Sequence, residues 1–338
     1  MPGESRLRDL SWFAVLLLLT ILPAGAQNRA GVPRNVLLIG WDGAQRAHVN
    51  ECLARGELPV LQQMASEGRM VNIDVRGTTD TKAGWSQILT GYNPEVTGVF
   101  GNRRYGPIPR GLSVFERLES AFGSDSIVTA AVIGKKGHVD ADGPKRVALD
   151  GLKPVRRKAL IRKSGGVVIT EGEREYLQIP AKPYFYTKEG IDLFINGLIQ
   201  NDTVAIHAMA LLERYKDSRV FFFVHFAEID HNGHRDGENA PSYSEALRSC
   251  DRWTGEILKK LKSLGLYEQT LVYVTADHGF DEGSTRHQNA PEVFLVTNDP
   301  LVAADGTRAD ITPTILDRFG VSTATLRPPL DGVSLIRR

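Results

Sequence analysis

Five short runs of aliphatic and β-branched residues, separated by segments of helical character, are the feature that most constrains the fold of this chain. Such continuous apolar runs are typical of strands buried on both faces of a parallel sheet. They cover residues 36–39, 127–133, 220–224, 271–274 and 293–296. We therefore predict an α/β fold with a doubly wound, mostly parallel central sheet that carries helices on both faces.

Glycine and proline mark the helix boundaries between these strands. Residues 58–67 and 243–264 are predicted helices, and a glycine follows each of them. A third helix is predicted to begin near Thr312, which would cap it, with Pro313 in its first turn.

The stretch from 136 to 189 breaks this alternation. It contains basic clusters, four prolines and a β-branched run at 167–170. We predict a small inserted cap subdomain here, with a hairpin, lying over the site. The chain has 338 residues, more than the roughly 250–300 at which a single core usually stops growing. One large catalytic domain formed by 35–135 and 190–338, with the inserted subdomain, therefore fits better than several equal domains.

The first 26 residues have the layout of a signal peptide. Two arginines precede an apolar run at 12–22, and Ala24 and Ala26 offer the small side chains that a signal peptidase accepts. The run is shorter than the roughly 20 apolar residues of a membrane-spanning helix. We expect cleavage after Ala26, export to the periplasm or the medium, and no stable membrane span afterwards. An uncleaved anchor is the alternative.

Charge and cysteine content argue against several classes of protein. The formal net charge is +1, which gives no electrostatic reason to expect nucleic acid binding, so an anionic small-molecule substrate must be held locally. The two cysteines, Cys52 and Cys250, supply neither a disulfide framework nor a thiolate zinc motif. An export context would permit them to pair, but two buried free thiols are the favoured interpretation. The oligomeric state is not predicted.

Carboxylates follow three of the predicted strands. Asp42, Asp230 and Asp277 each lie within a few residues of a strand end. Ligands of open α/β sheets bind beyond the carboxyl ends of the strands. The three side chains are therefore expected to converge on one edge of the sheet.

Histidines accompany these carboxylates. His234 lies four residues after Asp230, His278 directly follows Asp277, and His287 comes later. Mixed carboxylate and imidazole sets suit zinc better than magnesium or calcium, which prefer oxygen alone. One such residue alone would be explained as a helix cap or an ordinary histidine, whereas the full set predicts a metal centre.

Thr81 lies where a loop turns into a short apolar helix. The amides at a helix N-terminus can hold an anion beside its hydroxyl. Threonine is a poor nucleophile at its own pKa and needs a metal to form the alkoxide. Without the candidate metal ligands described above, Thr81 would be interpreted as the N-cap residue of this helix.

The order of these motifs resembles the alkaline phosphatase superfamily, and within it the type I phosphodiesterase/nucleotide pyrophosphatase branch, with sulfatase-like features. The resemblance covers nearly the whole mature chain. Asp230 to His234 is similar to the family's Asp-x-x-Gly-His pattern, and Thr275 to Phe280 to its most specific motif. The other similar segments are 35–43, 81–98, 310–320 and 330–335.

The resemblance implies two divalent metal ions, most often zinc in this superfamily. One would be held by Asp230, His234 and His287, and the other by Asp42, Thr81, Asp277 and His278. It further implies that the Thr81 alkoxide attacks phosphorus and that water then hydrolyses the phospho-threonine. The substrate would be a small-molecule phosphate ester, either a diester or a monoester.

Departures from the family pattern concern the substrate contacts. Nucleotide pyrophosphatases place an asparagine shortly after the nucleophile, and none occurs between Thr81 and Thr90. Asn102 is a candidate to compensate for it. Lys135 resembles a sulfatase residue that binds the substrate anion, while His138 stands one residue further along than in that pattern. Lys135, Asn102 and Gly84 are the candidate substrate-binding residues.

Three alternatives stay open at this stage. A sulfatase is the main rival, but its formylglycine derives from Cys or Ser, and Thr81 stands at that position. A metal-dependent mutase fits export poorly. A catalytically inactive exported binding protein would be expected to have lost ligands, which are all present here. His225 and His231 are candidates to orient metal ligands.

Overall fold

A computed structural model describes residues 31–290 and 292–337 of the chain. The predicted signal peptide, residues 1–26, lies outside the described residues. Within the described ranges, none of the helices combines the length and the apolar character that crossing a bilayer requires.

The strands reproduce the five predicted runs and add shorter ones. They are β1 Asn35–Trp41, β2 Arg69–Asp74, β3 Val128–Ile133, β4 Lys145–Ala148, β5 Val167–Glu171, β6 Arg174–Ile179, β7 Leu193–Asn196, β8 Val220–Phe226, β9 Thr270–Thr275, β10 Glu292–Thr297 and β11 Gly306–Thr307. Eight of them form one sheet in the order β11-β2-β10-β9-β1-β8-β3-β7.

This central sheet is mixed but mostly parallel, which confirms the predicted fold class. β1 pairs in parallel with β8 and β9, and β3 pairs in parallel with β8 and β7. β10 runs antiparallel to both β9 and β2. Every residue of β1, β8 and β9 is buried. Both faces of the sheet are therefore covered along its centre, as the continuous apolar runs require.

The helices are α1 Arg46–Ala54, α2 Pro59–Glu67, α3 Thr81–Thr90, α4 Pro94–Thr97, α5 Val114–Phe122, α6 Pro154–Ser164, α7 Asn201–Arg214, α8 Glu228–Asp236, α9 Pro241–Ser263 and α10 Ile311–Arg318. Local chemistry sets several boundaries. Ser113 and Glu116 form a capping box that starts α5, and α3 ends at Gly91, whose φ of 76° is left-handed. Cys52 in α1 and Cys250 in α9 are both buried free thiols, which confirms the favoured interpretation.

The predicted cap at Thr312 is wrong, although Pro313 does lie in the first turn of α10. A 3-10 turn, Arg308–Asp310, precedes that helix, and Thr307 and Asp310 form the capping box there. The Thr312 hydroxyl instead donates to Ile88 O at 2.7 Å. It therefore joins α10 to α3 rather than starting its own helix.

A second, smaller sheet lies within the predicted insertion. β4, β6 and β5 pair antiparallel in that order, and β5 and β6 form the predicted hairpin, with Gly172 (φ 61°) in its turn. Leu149, Leu177 and Ile179 form a separate small apolar cluster. The boundaries at 136 and 189, and a position of this unit over the site, stay predictions.

Candidate metal centre

The predicted metal ligands come from one edge of the central sheet. Asp42 directly follows β1, Asp277 lies two residues after β9, and Asp230 occupies the first turn of α8 after β8. Because β9, β1, β8 and β3 are neighbours and run parallel, their carboxyl ends meet. The convergence predicted from the sequence is confirmed.

One cluster consists of Asp230, His234 and His287, whose donor atoms lie within 4.8 Å of one another. His234 Nε2 is 3.1 Å from Asp230 Oδ1 and 3.2 Å from His287 Nε2. His234 Nδ1 lies 2.9 Å from Thr285 O, an oxygen that only accepts. We therefore assign the proton to Nδ1, which leaves the Nε2 lone pair directed at the cluster.

A second cluster adjoins the first and contains Asp42, Asp230 and His278. His278 Nε2 lies 3.1 Å from Thr81 Oγ1, 3.4 Å from Asp277 Oδ2 and 3.7 Å from Asp42 Oδ1. His278 Nδ1 faces Gly279 O at 2.9 Å and so carries the proton. Its Nε2 is therefore an acceptor that points at the threonine and the carboxylates.

The carboxylates of this centre suit a cation. Asp42 Oδ1, Asp230 Oδ1 and Asp277 Oδ2 are buried and have no hydrogen-bond partner among the described residues. Buried charges without partners are strongly unfavourable, and paired or metal-bound carboxylates are the usual solution. The residues present therefore fit divalent metal ions.

Burial and mutual proximity perturb these groups in opposite directions. Burial, followed by the charges of Asp42 and Asp230, raises the pKa of Asp277 well above its ordinary value. Burial also acts to raise the pKa of Asp42, but His138 and His225 outweigh it and hold that pKa well below its ordinary value. Burial lowers the pKa of His278 to about 3, so its imidazole is neutral. A neutral imidazole is the form that binds metals.

Asp42 is held by three donors that sequence reasoning did not assign to it. Its Oδ2 accepts hydrogen bonds from Trp85 Nε1 at 2.9 Å, His138 Nδ1 at 2.6 Å and His225 Nε2 at 2.7 Å. These bonds leave Oδ1 to face the second cluster. His225 was a candidate orienting residue, and the structure assigns Asp42 as its partner. Its position, an imidazole within the otherwise apolar strand β8, was the available signal.

The indole that reaches Asp42 occupies space that a side chain at residue 40 would fill. A Cβ on Gly40 would lie 2.3 Å from Trp85 Cη2. The indole also packs against Phe223 and His225, with ring centroids 5.2 Å apart in each case. A glycine near the end of β1 is therefore required for the Trp85 position that donates to Asp42.

Thr81 is the first residue of α3 and is 3% exposed. The buried guanidinium of Arg308 donates to backbone carbonyls of two segments, the loop before α3 and the residues after β9. Arg308 donates to Asp277 O at 2.7 Å, to Thr78 O at 2.8 Å and to Arg76 O at 3.0 Å. The loop before α3 and the segment after β9 are thus tied to one side chain.

The three candidate substrate-binding residues lie in different surroundings. Lys135 Nζ donates to Asp230 Oδ2 at 2.7 Å, and its side chain is 41% exposed. Asn102 Oδ1 accepts from Lys82 N at 3.1 Å beside the start of α3. Gly84 is buried, and a Cβ there would lie 2.8 Å from Asp277 Cβ, so it serves close packing of α3. The substrate contacts of all three stay predictions.

A cavity of about 350 Å³ opens beside the first cluster. Asn102, His234, Arg286 and His287 are among the residues that line it. It therefore gives access to two proposed metal ligands and to one candidate substrate residue. Neither Lys135 nor Gly84 lines this cavity.

Comparison with curated proteins gives distant relatives of several kinds, which include nucleotide pyrophosphatases/phosphodiesterases, phosphoglycerate mutases and a choline-sulfatase. The chain is 23% identical over 276 residues to the bis(5'-adenosyl)-triphosphatase ENPP4 of Pongo abelii, covering 80% of this chain and 53% of the relative. It is 24% identical over 289 residues to the ectonucleotide pyrophosphatase/phosphodiesterase family member 1 of Mus musculus, covering 82% and 27%. The chain thus spans about half or less of the length of these relatives.

Solved structures share the fold at low identity. Alkaline phosphatase from the Antarctic bacterium TAB5 superposes with a TM-score of 0.53 at 14% identity, covering 87% of this chain and 99% of that one. The 2-O GAG sulfatase BT1596 superposes with a TM-score of 0.58 at 15% identity, covering 90% and 73%. The family model described as type I phosphodiesterase / nucleotide pyrophosphatase matches residues 36–318. This chain therefore shares its fold with alkaline phosphatase and belongs to the type I phosphodiesterase/nucleotide pyrophosphatase family.

Proposed function

We propose that this chain is a metal-dependent phosphoric ester hydrolase in which Thr81 is the covalent nucleophile. One observation carries the proposal: Thr81 Oγ1 lies at the start of α3, 3.1 Å from His278 Nε2, in a buried group of aspartates and histidines. A hydroxyl in that position has helix N-terminal amides on one side and the proposed metal ligands on the other. Membership of the phosphodiesterase family supports the same reaction.

Two divalent ions, most suitably zinc, would be held by this chain's own side chains. Asp230, His234 and His287 would hold one of them. Asp42, Thr81, Asp277 and His278 would hold the other. When bound, such ions lower the pKa of a coordinated hydroxyl and neutralise charge on phosphoryl oxygens.

The residues of the chain would divide the reaction into two displacements. Thr81 Oγ1 loses its proton to solvent and forms a bond to phosphorus, while the bond to the leaving-group oxygen breaks and that oxygen takes up a proton from solvent. Water then attacks the phosphorus of the phospho-threonine, the bond to Thr81 breaks, and the hydroxyl is regenerated. Lys135 and Asn102 are proposed to bind non-bridging phosphoryl oxygens, and the amides at the start of α3 would contribute to the same anion site.

Diesters and phosphoanhydrides are proposed ahead of monoesters. The relatives named above are a bis-adenosyl triphosphatase and a nucleotide pyrophosphatase/phosphodiesterase. The exposed Arg286 on the cavity lining adds positive charge beside the centre. That charge suits a substrate with an anionic or polyphosphate extension rather than a lone phosphoryl group.

The decisive experiment compares three chromogenic substrates with zinc-loaded protein lacking residues 1–26. These are bis-p-nitrophenyl phosphate, p-nitrophenyl phosphate and p-nitrophenyl sulfate, assayed with wild type and with Thr81→Ala. Turnover of the diester is expected to exceed that of the sulfate, and Thr81→Ala is expected to lower it by about 10³-fold or more.

Thr90→Ala is the matched control, since Thr90 lies in the same helix and its hydroxyl donates to Ser86 O and accepts from Tyr92 N, neither of which is a proposed site residue. It should keep activity near wild type. Near-wild-type turnover in Thr81→Ala would refute the covalent mechanism. A dominant sulfate rate would favour the sulfatase alternative, and no turnover with bound zinc would favour an inactive binding protein.

We also propose that the protein is exported by cleavage after Ala26 and that residues 136–189 form a cap beside the site. The apolar N-terminal run supports the first proposal, and the separate sheet of β4, β5 and β6 supports the second. The mass of protein recovered from the periplasm or medium tests export. A mass that includes residues 1–26 would contradict it.

A further inference from the structure

A group of metal-binding residues outside the proposed catalytic centre remains without an assigned role. His48 of α1, Glu238 after α8 and Glu282 after β9 each offer a donor atom, and these atoms lie within 4.8 Å of one another. None of the three belongs to the ligand sets assigned above. The group therefore needs its own explanation.

Two buried atoms in this group lack partners. Glu238 is fully buried, and its Oε2 has no hydrogen-bond partner among the described residues. His48 is 8% exposed, and its Nε2 also has none. The two atoms are 3.4 Å apart and point into the same small volume. Leaving such buried groups unpaired is unfavourable, and more so when one of them is charged.

The surrounding contacts fix these side chains in place. Glu238 Oε1 accepts hydrogen bonds from Asn239 Nδ2 at 3.0 Å and from the amide of Gly283. Asn239 Nδ2 also donates to Glu282 Oε1 at 3.0 Å. The His48 ring packs edge-on against Tyr243, with centroids 5.4 Å apart. Glu238 Oε2 and His48 Nε2 are thus held in place without a hydrogen-bond partner among the described residues.

The local charge is negative. Glu238 and Glu282 share the Asn239 amide, and a third carboxylate, Glu51, lies 3.7 Å from His48 Nδ1. No lysine or arginine forms an ion pair with Glu238 or Glu282 in the part of the chain that the structure describes. Even a charged imidazole would leave this group with excess negative charge. A divalent cation supplies both the missing charge and the missing contacts.

We propose that His48, Glu238 and Glu282 bind a further divalent cation of the zinc class, separate from the catalytic pair. One imidazole and two carboxylates form a donor set of the kind that zinc accepts, with the exposed side of Glu282 open to a water ligand. The ion would be structural, because its ligands come from three separate segments: α1, the loop after α8 and the loop after β9. Glu282 lies between His278 and His287, so the ion would anchor the loop that carries His287 to α1.

The test counts bound zinc by elemental analysis in protein lacking residues 1–26, after equilibration with Zn²⁺ and desalting. Glu282→Gln and His48→Gln are each expected to lose about one equivalent per chain relative to wild type. Glu245→Gln, at an exposed carboxylate of α9 outside the group, is the matched control and should lose none. The difference does not depend on how many ions the catalytic centre holds.

A second measurement separates this site from the centre. In a His234→Ala, His278→Ala background, which disables both proposed catalytic sites, about one equivalent of zinc should remain and should disappear on adding Glu282→Gln. Because Glu282 is exposed, Glu282→Gln decides the question even where His48→Gln fails to fold. Equal zinc content in wild type and Glu282→Gln would overturn the proposal and leave a simple imidazole–carboxylate contact.

Discussion

Trp85→Phe tests whether the hydrogen bonds to Asp42 Oδ2 contribute to metal affinity. The substitution keeps an aromatic ring but removes the indole N–H that donates to Asp42 Oδ2 at 2.9 Å. Hydrogen bonds to charged groups contribute about 1.5–3 kcal/mol. Because His138 and His225 still hold the same oxygen, we take the lower part of that range.

A loss of about 1.5–2 kcal/mol corresponds to a roughly 10–30-fold larger dissociation constant for the metal that Asp42 is proposed to bind. A zinc titration against a chromophoric chelator, at fixed pH and ionic strength, measures this constant directly. The smaller ring should also lower the free energy of unfolding by about 1–3 kcal/mol, since it leaves a gap beside Gly40 and Phe223.

Trp41→Phe separates the two effects. Trp41 is equally buried, but its Nε1 donates to the neutral hydroxyl of Thr254 at 3.3 Å. A similar loss of stability is expected there, with the zinc dissociation constant unchanged within about twofold. An unchanged constant in Trp85→Phe, or equal weakening in Trp41→Phe, would refute the reasoning.

Three further predictions concern stability and metal dependence. Arg308→Met removes the hydrogen bonds to Asp277 O, Thr78 O and Arg76 O. It should lower the free energy of unfolding, measured by urea denaturation, by about 2–4 kcal/mol. Unchanged stability would contradict the proposed role of Arg308 in holding these segments together. Burial raises the pKa of Asp251 to about 6, so the folded chain holds that proton more tightly than the unfolded chain. Its stabilising contribution should therefore fall by up to about 3 kcal/mol as pH rises from about 4 to 6, and Asp251→Asn should remove this difference in paired denaturation curves at the two pH values. Exhaustive chelation should lower the melting temperature, because saturating metal at 1,000 times its dissociation constant stabilises the fold by about 4 kcal/mol; identical melting with and without chelator would argue against metal binding.

Much of the fold, and the grouping of acidic and histidine side chains at one edge of the sheet, could be predicted because both depend on local patterns. Continuous apolar runs identify β1, β8 and β9, and their parallel pairing brings the residues after them together. Asp42, Asp230 and Asp277 therefore needed only the general rule about strand ends. The histidines near them in sequence followed from the same placement.

The partners of Asp42 could not be predicted in this way because they come from three separate segments. Trp85, His138 and His225 meet its carboxylate only through the register of β8 against β1, the register of β3 against β8 and the packing of α3. The edge strands β7 and β11 are short and half-buried, so they leave no continuous apolar run. Thr312 failed as a cap because a tertiary contact with Ile88 competed for its hydroxyl.

The contact between Gly40 and the Trp85 indole has a consequence for how metal preference can change over evolution or in the laboratory. Gly40 touches no proposed ligand, yet any larger residue there must displace the indole that donates to Asp42. A substitution at residue 40, which looks like an ordinary interior position, would thus change how Asp42 is held without altering any proposed ligand. A search for altered metal selectivity that is restricted to the proposed ligands would overlook this effect of residue 40. Paired substitutions at residues 40 and 85 would test it directly.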